Sequence, residues 1–402
     1  MNLQFSRADE IFRDGIRRFV REHLPADIAR RAAQGFHPPP RADTHVWNRI
    51  LFEKGWSAPH WPIEHCGTGW NALRRHLFEE ECYQAGAPEL SWQGLRLVGP
   101  VLYTFGSEAQ KKRYLRGIRS GDEYWVQGFS EPGAGSDLVA LKTTAVLDGD
   151  RYIVNGQKIW SSEAQFADMG FFLVKTDTTV KPQRGISFLL IDMKTPGITV
   201  RPITLIDGGP EVNEIFLDNV VVPAENLVGE AGQGWSYAKA LFENERTSGA
   251  HLHTIRRELD KLKRIATREL CNGVPLIEQP AFSRAVAEVD VAALALEWSV
   301  LRVLANEKSA YDANARASAL KVRGAMLYQR VTELQIDALG LRSLRLFDPD
   351  TAAAASGEDA CEPWPGYIPG LMAGHLFGRA IPIAGGTNEV QKNIIAKLAF
   401  GL

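Results

Sequence analysis

The feature that most constrains this fold is a change of period along the chain. From Asp9 to Val20, apolar residues recur at spacings of three to five, as on one face of a helix. Pro38-Pro39-Pro40 breaks that run, and a second helical stretch follows from Thr44 to Lys54. Trp56 to Trp70 is loop-like, with prolines and glycines, and Glu108 to Gly117 is a charged helix. The period then shortens to two. Thr143 to Leu147 and Tyr152 to Val154 read as strands, with an Asp148-Gly149 turn between them and an Asn155-Gly156 turn after them. Phe171–Val174, Ile186–Ile191, Ile198–Ile203 and Glu214–Val222 continue as short β segments. From Gly234 the helical period returns. Leu320, Leu327, Val331, Leu334 and Ala338 form one apolar stripe, an ordinary core face. Asp348 to Pro369 reads as a weakly structured insertion, and a final helix starts after Gly385-Gly386-Thr387. The pattern predicts an α+β protein: a helical segment over 1–122, a compact β domain over 123–232 and a helical segment over 233–402.

Bulk properties narrow the function classes. A chain of 402 residues can bury a core without staples. Lys plus Arg number 46 and Asp plus Glu 48, so no excess charge calls for nucleic acid or an anionic membrane. Cys66, Cys82, Cys271 and Cys361 are far apart and form no C-x-x-C pair, which fits reduced thiols in a cytoplasmic protein. Met1 to Glu10 carries charges and no apolar run, so no signal peptide is expected. Val291–Leu304 is interrupted by Glu297 and Arg302 and is too short to span a bilayer. His251 and His253 are two apart and face different ways on a helix, so no metal site is expected.

Four segments carry chemistry. Ser130-Glu131-Pro132-Gly133-Ala134-Gly135-Ser136-Asp137 is a small-residue turn whose backbone and hydroxyls can approach a phosphate or a polar ring. Taken alone such a turn is more often structural. Asn155-Gly156-Gln157-Lys158-Ile159-Trp160-Ser161-Ser162 reads as a turn leading into a strand that delivers an aromatic ring and two hydroxyls. A strand Trp is more often core. Gly386-Thr387-Asn388-Glu389 is a helix start, suited to an anion or serving only as a cap. Phe242-Glu243-Asn244-Glu245-Arg246 places a carboxylate beside a guanidinium, which is a candidate base or a plain ion pair.

In this order, and with Gly55-Trp56, Trp61-Pro62, Phe105 to Lys111, Gly232 to Trp235 and Gly385 to Ala396, these segments resemble the acyl-CoA dehydrogenase family over nearly the whole chain. The resemblance implies an N-terminal helical domain, a middle β-barrel or sandwich domain and a C-terminal helical bundle. It implies α,β-dehydrogenation of an acyl-CoA thioester to the trans-2-enoyl-CoA, with FAD as cofactor. That reaction needs a base for the α-proton, donors on the thioester oxygen and a hydride acceptor, which no side chain can be. By resemblance Gln127, Phe129 and Ser130 line the pyrimidine end of the flavin, and Ser136 lies between flavin and the CoA arm. Trp160 packs beside the ring, Ser162 bonds near N5, and Thr387 and Glu389 contact the dinucleotide. Arg246 and the Gly386 N–H lie near the substrate. The implied partners are acyl-CoA, an electron-transfer flavoprotein and further subunits, in a homomeric or mixed tetramer.

The chain departs from the best-known members in two places. They carry Glu immediately before the Gly-Thr pair, where this chain has Gly385. Other members place the base on the earlier helix, one residue before an Arg, and Glu245 matches them. In addition, Arg268 to Leu276 lacks a Phe-Gly pair, and Gln335 to Gly340 lacks a Gly-rich loop. These gaps point to a different chain completing the flavin site. The rivals are a non-catalytic or half-site subunit of a mixed tetramer and an O2-using flavin oxidase or monooxygenase on the same fold.

Overall fold

The computed structural model describes residues 5–33, 40–245, 250–305, 312–344, 367–368 and 370–402. Most of the 348–369 insertion, and Arg246, lie outside them. The chain folds as two compact units, one of residues 44–69 and 89–245, the other of residues 1–43, 70–88 and 246–402.

The first unit is built on a seven-stranded sheet. Its strands are β1 (Trp125–Gly128), β2 (Thr144–Asp148), β3 (Arg151–Ser162), β4 (Met169–Lys175), β5 (Ile186–Asp192), β6 (Ile198–Ile203) and β7 (Val212–Pro223). They run in the order β1-β4-β2-β3-β7-β6, with β5 against β4. The β2–β3 hairpin pairs Asp148 with Arg151, and Gly149 takes the left-handed backbone that the tight turn requires. The second expected turn is corrected here. Asn155 and Gly156 lie inside β3, which runs unbroken to Ser162, and the β3–β7 register slips between Val154 and Gly156. Gly156 is needed for packing, because a Cβ there would meet Thr143 Oγ1 at 2.4 Å. The Asn-Gly pair therefore makes a bulge and not a reversal.

Phe171, Leu173, Phe188 and Leu190, from β4 and β5, form one face of the core with Val101 and Leu102 of helix α5 (Gly99–Phe105) and Ile118 of α6 (Glu108–Ser120). A Ser107–Gln110 capping box opens α6, and Gly121 closes it in a left-handed turn. Val126, Phe172, Val174 and Ile215 build the opposite face of the sheet. Helix α7 (Gly234–Glu245) lays Tyr237, Ala238 and Leu241 on the β5 side.

The second unit is helical. It holds α1 (Arg7–His23), α2 (Ala26–Ala33) and α4 (Ala72–Gln84), with α8 (Leu252–Arg268), α9 (Pro280–Leu304), α10 (Ala313–Leu339), α11 (Leu371–Phe377) and α12 (Asn388–Phe400). α3 (Arg41–Lys54) crosses from one unit to the other in sequence. Leu320, Leu327, Val331, Leu334 and Ala338 of α10 are all buried, so the sequence stripe is core. Asn272 and Gly273 turn left-handed and close a small hairpin of β8 (Leu270–Cys271) and β9 (Val274–Pro275) after α8. No helix among the described residues is long and apolar enough to cross a membrane.

Candidate cofactor and substrate site

In the sheet unit the turn after β1 is held from beneath and open above. Glu131 and Ala134 exchange both backbone hydrogen bonds, at 3.1 and 2.9 Å. The Ser130 carbonyl accepts the Ile159 N–H at 2.9 Å, which ties the turn to β3. Pro132, Gly133, Gly135 and Ser136 are exposed. Gly133 and Gly135 lack a left-handed backbone, and a Cβ on either would meet nothing within 4 Å. The chain itself does not require glycine there, so the room they leave faces outward. A cavity of about 290 Å³ opens beside the turn, lined by Pro132, Gly133, Lys142, Thr143 and Gln157.

Trp160 is the second element. A strand Trp normally packs inward, yet this side chain is 57% exposed. The β3–β7 register slips again between Lys158 and Ser161, and Trp160 takes φ 61°. A left-handed backbone at a bulky residue costs on the order of 1–3 kcal/mol, and such strain clusters at ligand sites. Ser161 then turns inward, and its carbonyl accepts from Asn213 Nδ2 at 3.0 Å. Ser162 resumes the pairing opposite Val212. The hydroxyls of Ser130 and Ser162 and the Gln127 amide bond to nothing among the described residues. An exposed ring on a strained bulge, with free polar groups around it and an open glycine turn, fits a planar polar cofactor such as flavin.

Phe129 lies elsewhere. Its ring is in the core, edge-on to Phe171 and Phe188 at centroid distances of 5.6 and 6.1 Å. A ligand on the turn could meet only its backbone. Glu245 is the last residue of α7, and its side chain, like all of Arg246, falls outside what is described.

Sequence reasoning missed the residues beneath the turn. Lys158 is fully buried in β3 and donates to Glu131 Oε1 at 2.8 Å. Burial pushes the Lys158 ammonium down to about 8, although Glu131 opposes the shift. Burial likewise pushes Glu131 up, but the Lys158 charge and the Thr143 and Lys142 amides outweigh it and hold the carboxyl below its usual range. A signal was present. In a strand of period two, Lys158 has the parity of the buried Tyr152 and Val154.

In the helical unit Gly385 and Gly386 are consecutive left-handed residues, at φ 63° and 88°. Thr387 then caps α12, with its Oγ1 accepting the Val390 N–H at 3.2 Å. The Glu389 carboxyl is held below its usual range by its own backbone N–H and by the Thr387 hydroxyl. Lys321 of α10 is buried and donates to the Pro382 carbonyl at 3.1 Å and to Asn388 Oδ1 at 3.2 Å, one on each side of the glycine turn. His76 and Glu80 of α4 and Glu297 of α9 bring ligand-type atoms within 4.8 Å of one another. The cation at that cluster is Arg256, which pairs with both carboxylates.

Comparison with known proteins agrees along the whole chain. Residues 6–122, 127–220 and 232–400 match the N-terminal, middle and C-terminal domains of acyl-CoA dehydrogenases. The acyl-CoA dehydrogenase IpdE1 of Mycobacterium tuberculosis is 34% identical over 98% of this chain and 97% of its own length. The ChsE4-ChsE5 complex of the same organism contains a chain that superposes with a TM-score of 0.82 at 30% identity, covering 100% of this chain and 99% of that one. A steroid acyl-CoA dehydrogenase, Tcur3481-Tcur3483, superposes with a TM-score of 0.84 at 28% identity, with coverage of 100% and 99%.

Proposed function

The chain belongs to the acyl-CoA dehydrogenase family, and on that premise we propose that it is an FAD-dependent dehydrogenase of a bulky, steroid-derived acyl-CoA thioester. The family is flavin-dependent, and the chain is an oxidoreductase acting on acyl-CoA. The substrate class rests on likeness over the full length to the steroid acyl-CoA dehydrogenase. The cofactor rests on Trp160, a large aromatic more than half exposed on a left-handed bulge.

In this reading Gln127, Ser130, Trp160 and Ser162 hold the flavin ring, with Phe129 contributing backbone only. Thr387 and Glu389 serve the dinucleotide. Ser136, Arg246 and the Gly386 N–H serve the CoA thioester. Glu245 takes the α-proton, and donors on the thioester oxygen stabilise the charge that develops as it leaves. FAD, when bound, supplies the acceptor for the β-hydride, and the electrons go on to an electron-transfer flavoprotein. The product is the trans-2-enoyl-CoA.

A mixed assembly is the second reading, because two of the structural relatives are heteromeric complexes. The altered stretch after Arg268 fits it, since a partner could supply what that stretch lacks.

One experiment tests both readings. The pure chain is assayed for bound flavin and for its bleaching by steroid-derived and straight-chain acyl-CoAs, with light scattering for mass. Flavin bleached by the steroid-derived thioester and not by straight chains supports the substrate. A tetramer of this chain alone, with one active flavin per subunit, removes the mixed assembly. Failure to hold flavin, with or without a related partner chain, overturns the function.

Trp160→Ala gives a local check. It is expected to weaken flavin retention severalfold to tenfold, since an aromatic contact contributes on the order of 1 kcal/mol beyond burial. Because the ring is exposed, stability of the flavin-free protein should change by only about 0.5 kcal/mol or less. Full retention after gel filtration would remove Trp160 from the site.

A further inference from the structure

A fully buried lysine in a β-sheet core is costly unless every proton is used. Lys158 uses all three. Its Nζ donates to Glu131 Oε1 at 2.8 Å, to the Leu173 carbonyl at 2.7 Å and to the Phe129 carbonyl at 3.2 Å. Glu131, only 6% exposed, also accepts the Lys142 N–H at 2.6 Å and the Thr143 N–H at 2.9 Å. The carbonyls of Phe129 and Ser130, the Glu131 side chain and the 142–143 backbone are thus fixed to one centre or to the adjoining strand. Pro132, Gly133, Gly135 and Ser136 at the tip of the turn remain exposed, while Ala134 between them is buried and paired with the Glu131 backbone.

Buried ion pairs are a poor route to stability. An apolar pair of similar volume is often neutral or stabilising by comparison. What the pair adds is direction: an ammonium with three fixed acceptors holds the chain in one place, whereas apolar packing tolerates sliding. We infer that Glu131 and Lys158 form a positioning latch, which fixes the Ser130–Ser136 turn and, through Ile159, the Trp160 bulge in the geometry that receives the cofactor. The inference rests on the reading of that turn as a cofactor segment. The same device recurs on the helical unit, where the buried Lys321 pins both sides of the Gly385–Thr387 turn through Pro382 and Asn388. The two segments share no sequence pattern, and each is fixed by a buried ammonium.

The decisive variant is Glu131→Leu/Lys158→Met, which swaps the ion pair for an apolar one. The latch predicts a folded protein with a lowered melting temperature, because the Lys142 and Thr143 N–H groups lose their buried acceptor. It also predicts at least tenfold faster amide exchange at Lys142 and Thr143, and at least tenfold weaker FAD retention in the purified full chain. A role in folding alone predicts lost stability as well, but with retention kept at temperatures below the melt. If the double variant does not fold, Glu131→Asp keeps the charge and shortens the reach. It should raise exchange at the same two amides and weaken FAD retention. Wild-type exchange or wild-type retention in the folded variant overturns the latch. A wild-type chain that holds no FAD, with or without a related partner chain, overturns the functional reading instead, and the exchange rates then decide the latch alone.

Discussion

Replacing Glu245 by Gln should leave flavin bound and slow its reduction by acyl-CoA about a hundredfold or more, the scale of lost general-base catalysis. The position commonly given to the base in this family is Gly385, which has no proton-accepting group and sits at φ 63°, a backbone that suits glycine. The reaction still requires a carboxylate or its equivalent near Cα. Helix α7 is described through Glu245, which Arg246 follows in sequence. Glu243 is two residues earlier, and helical spacing puts residues two apart on different faces. Glu243→Gln is therefore the control and should reduce its flavin at close to the wild-type rate. Stopped-flow bleaching of the bound flavin reads both variants directly. Reduction of the Glu245→Gln flavin at the wild-type rate would sink the assignment.

The order of the fold was legible because each segment keeps one hydrophobic period. The α10 stripe and the strands from Phe171 onward lie where that period puts them. Thr387 caps its helix, as a Gly-Gly-Thr start allows. Asn155-Gly156 misled for a specific reason. The pair is the strongest short hairpin signal, but Gly156 meets the demand of close packing on Thr143 and β3 continues past it. Trp160 posed a choice between core and cofactor that propensity does not resolve. The register slip at Lys158–Ser161, set by pairing with β7 some fifty residues later, is what exposes the ring. The grouping of residues 70–88 with 246–402 was equally out of reach, because α4 meets α8 through faces more than 150 residues apart in sequence. Buried charge was the largest omission. Glu131 and Lys321 look like ordinary surface residues until their partners are placed around them, and for Lys158 only the strand parity argued otherwise.

Acid should weaken the helical unit through His76, by about 3 kcal/mol in full. His76 lies in α4, 4% exposed, and its Nε2 has no hydrogen-bond partner among the described residues. Burial drives its pKa down from 6.5 to about 4, and His253 and Arg256 push the same way while Glu79 opposes. The His253 ring is 5.0 Å away and the Glu80 and Glu297 carboxylates lie within 4.8 Å, so a proton on His76 meets charges of both signs and burial decides the direction. The unfolded chain takes up the proton near 6.5, whereas the folded chain refuses it until about 4. Stability is therefore whole above about pH 6.5 and falls as pH drops through that window, with about 2 kcal/mol gone near pH 5. Glu297 works against this. Burial holds its carboxyl above the usual range despite Arg256, so the folded state accepts that proton first and gains slightly as pH falls. The two are separated by His76→Leu, which fills about the same volume without a titrating ring. Urea unfolding at about pH 7 and about pH 5 should show the wild type losing roughly 2 kcal/mol more than the variant, and amide exchange in α4 and α8 should carry the difference. Equal losses in the two proteins would clear His76 and move the acid sensitivity to another group.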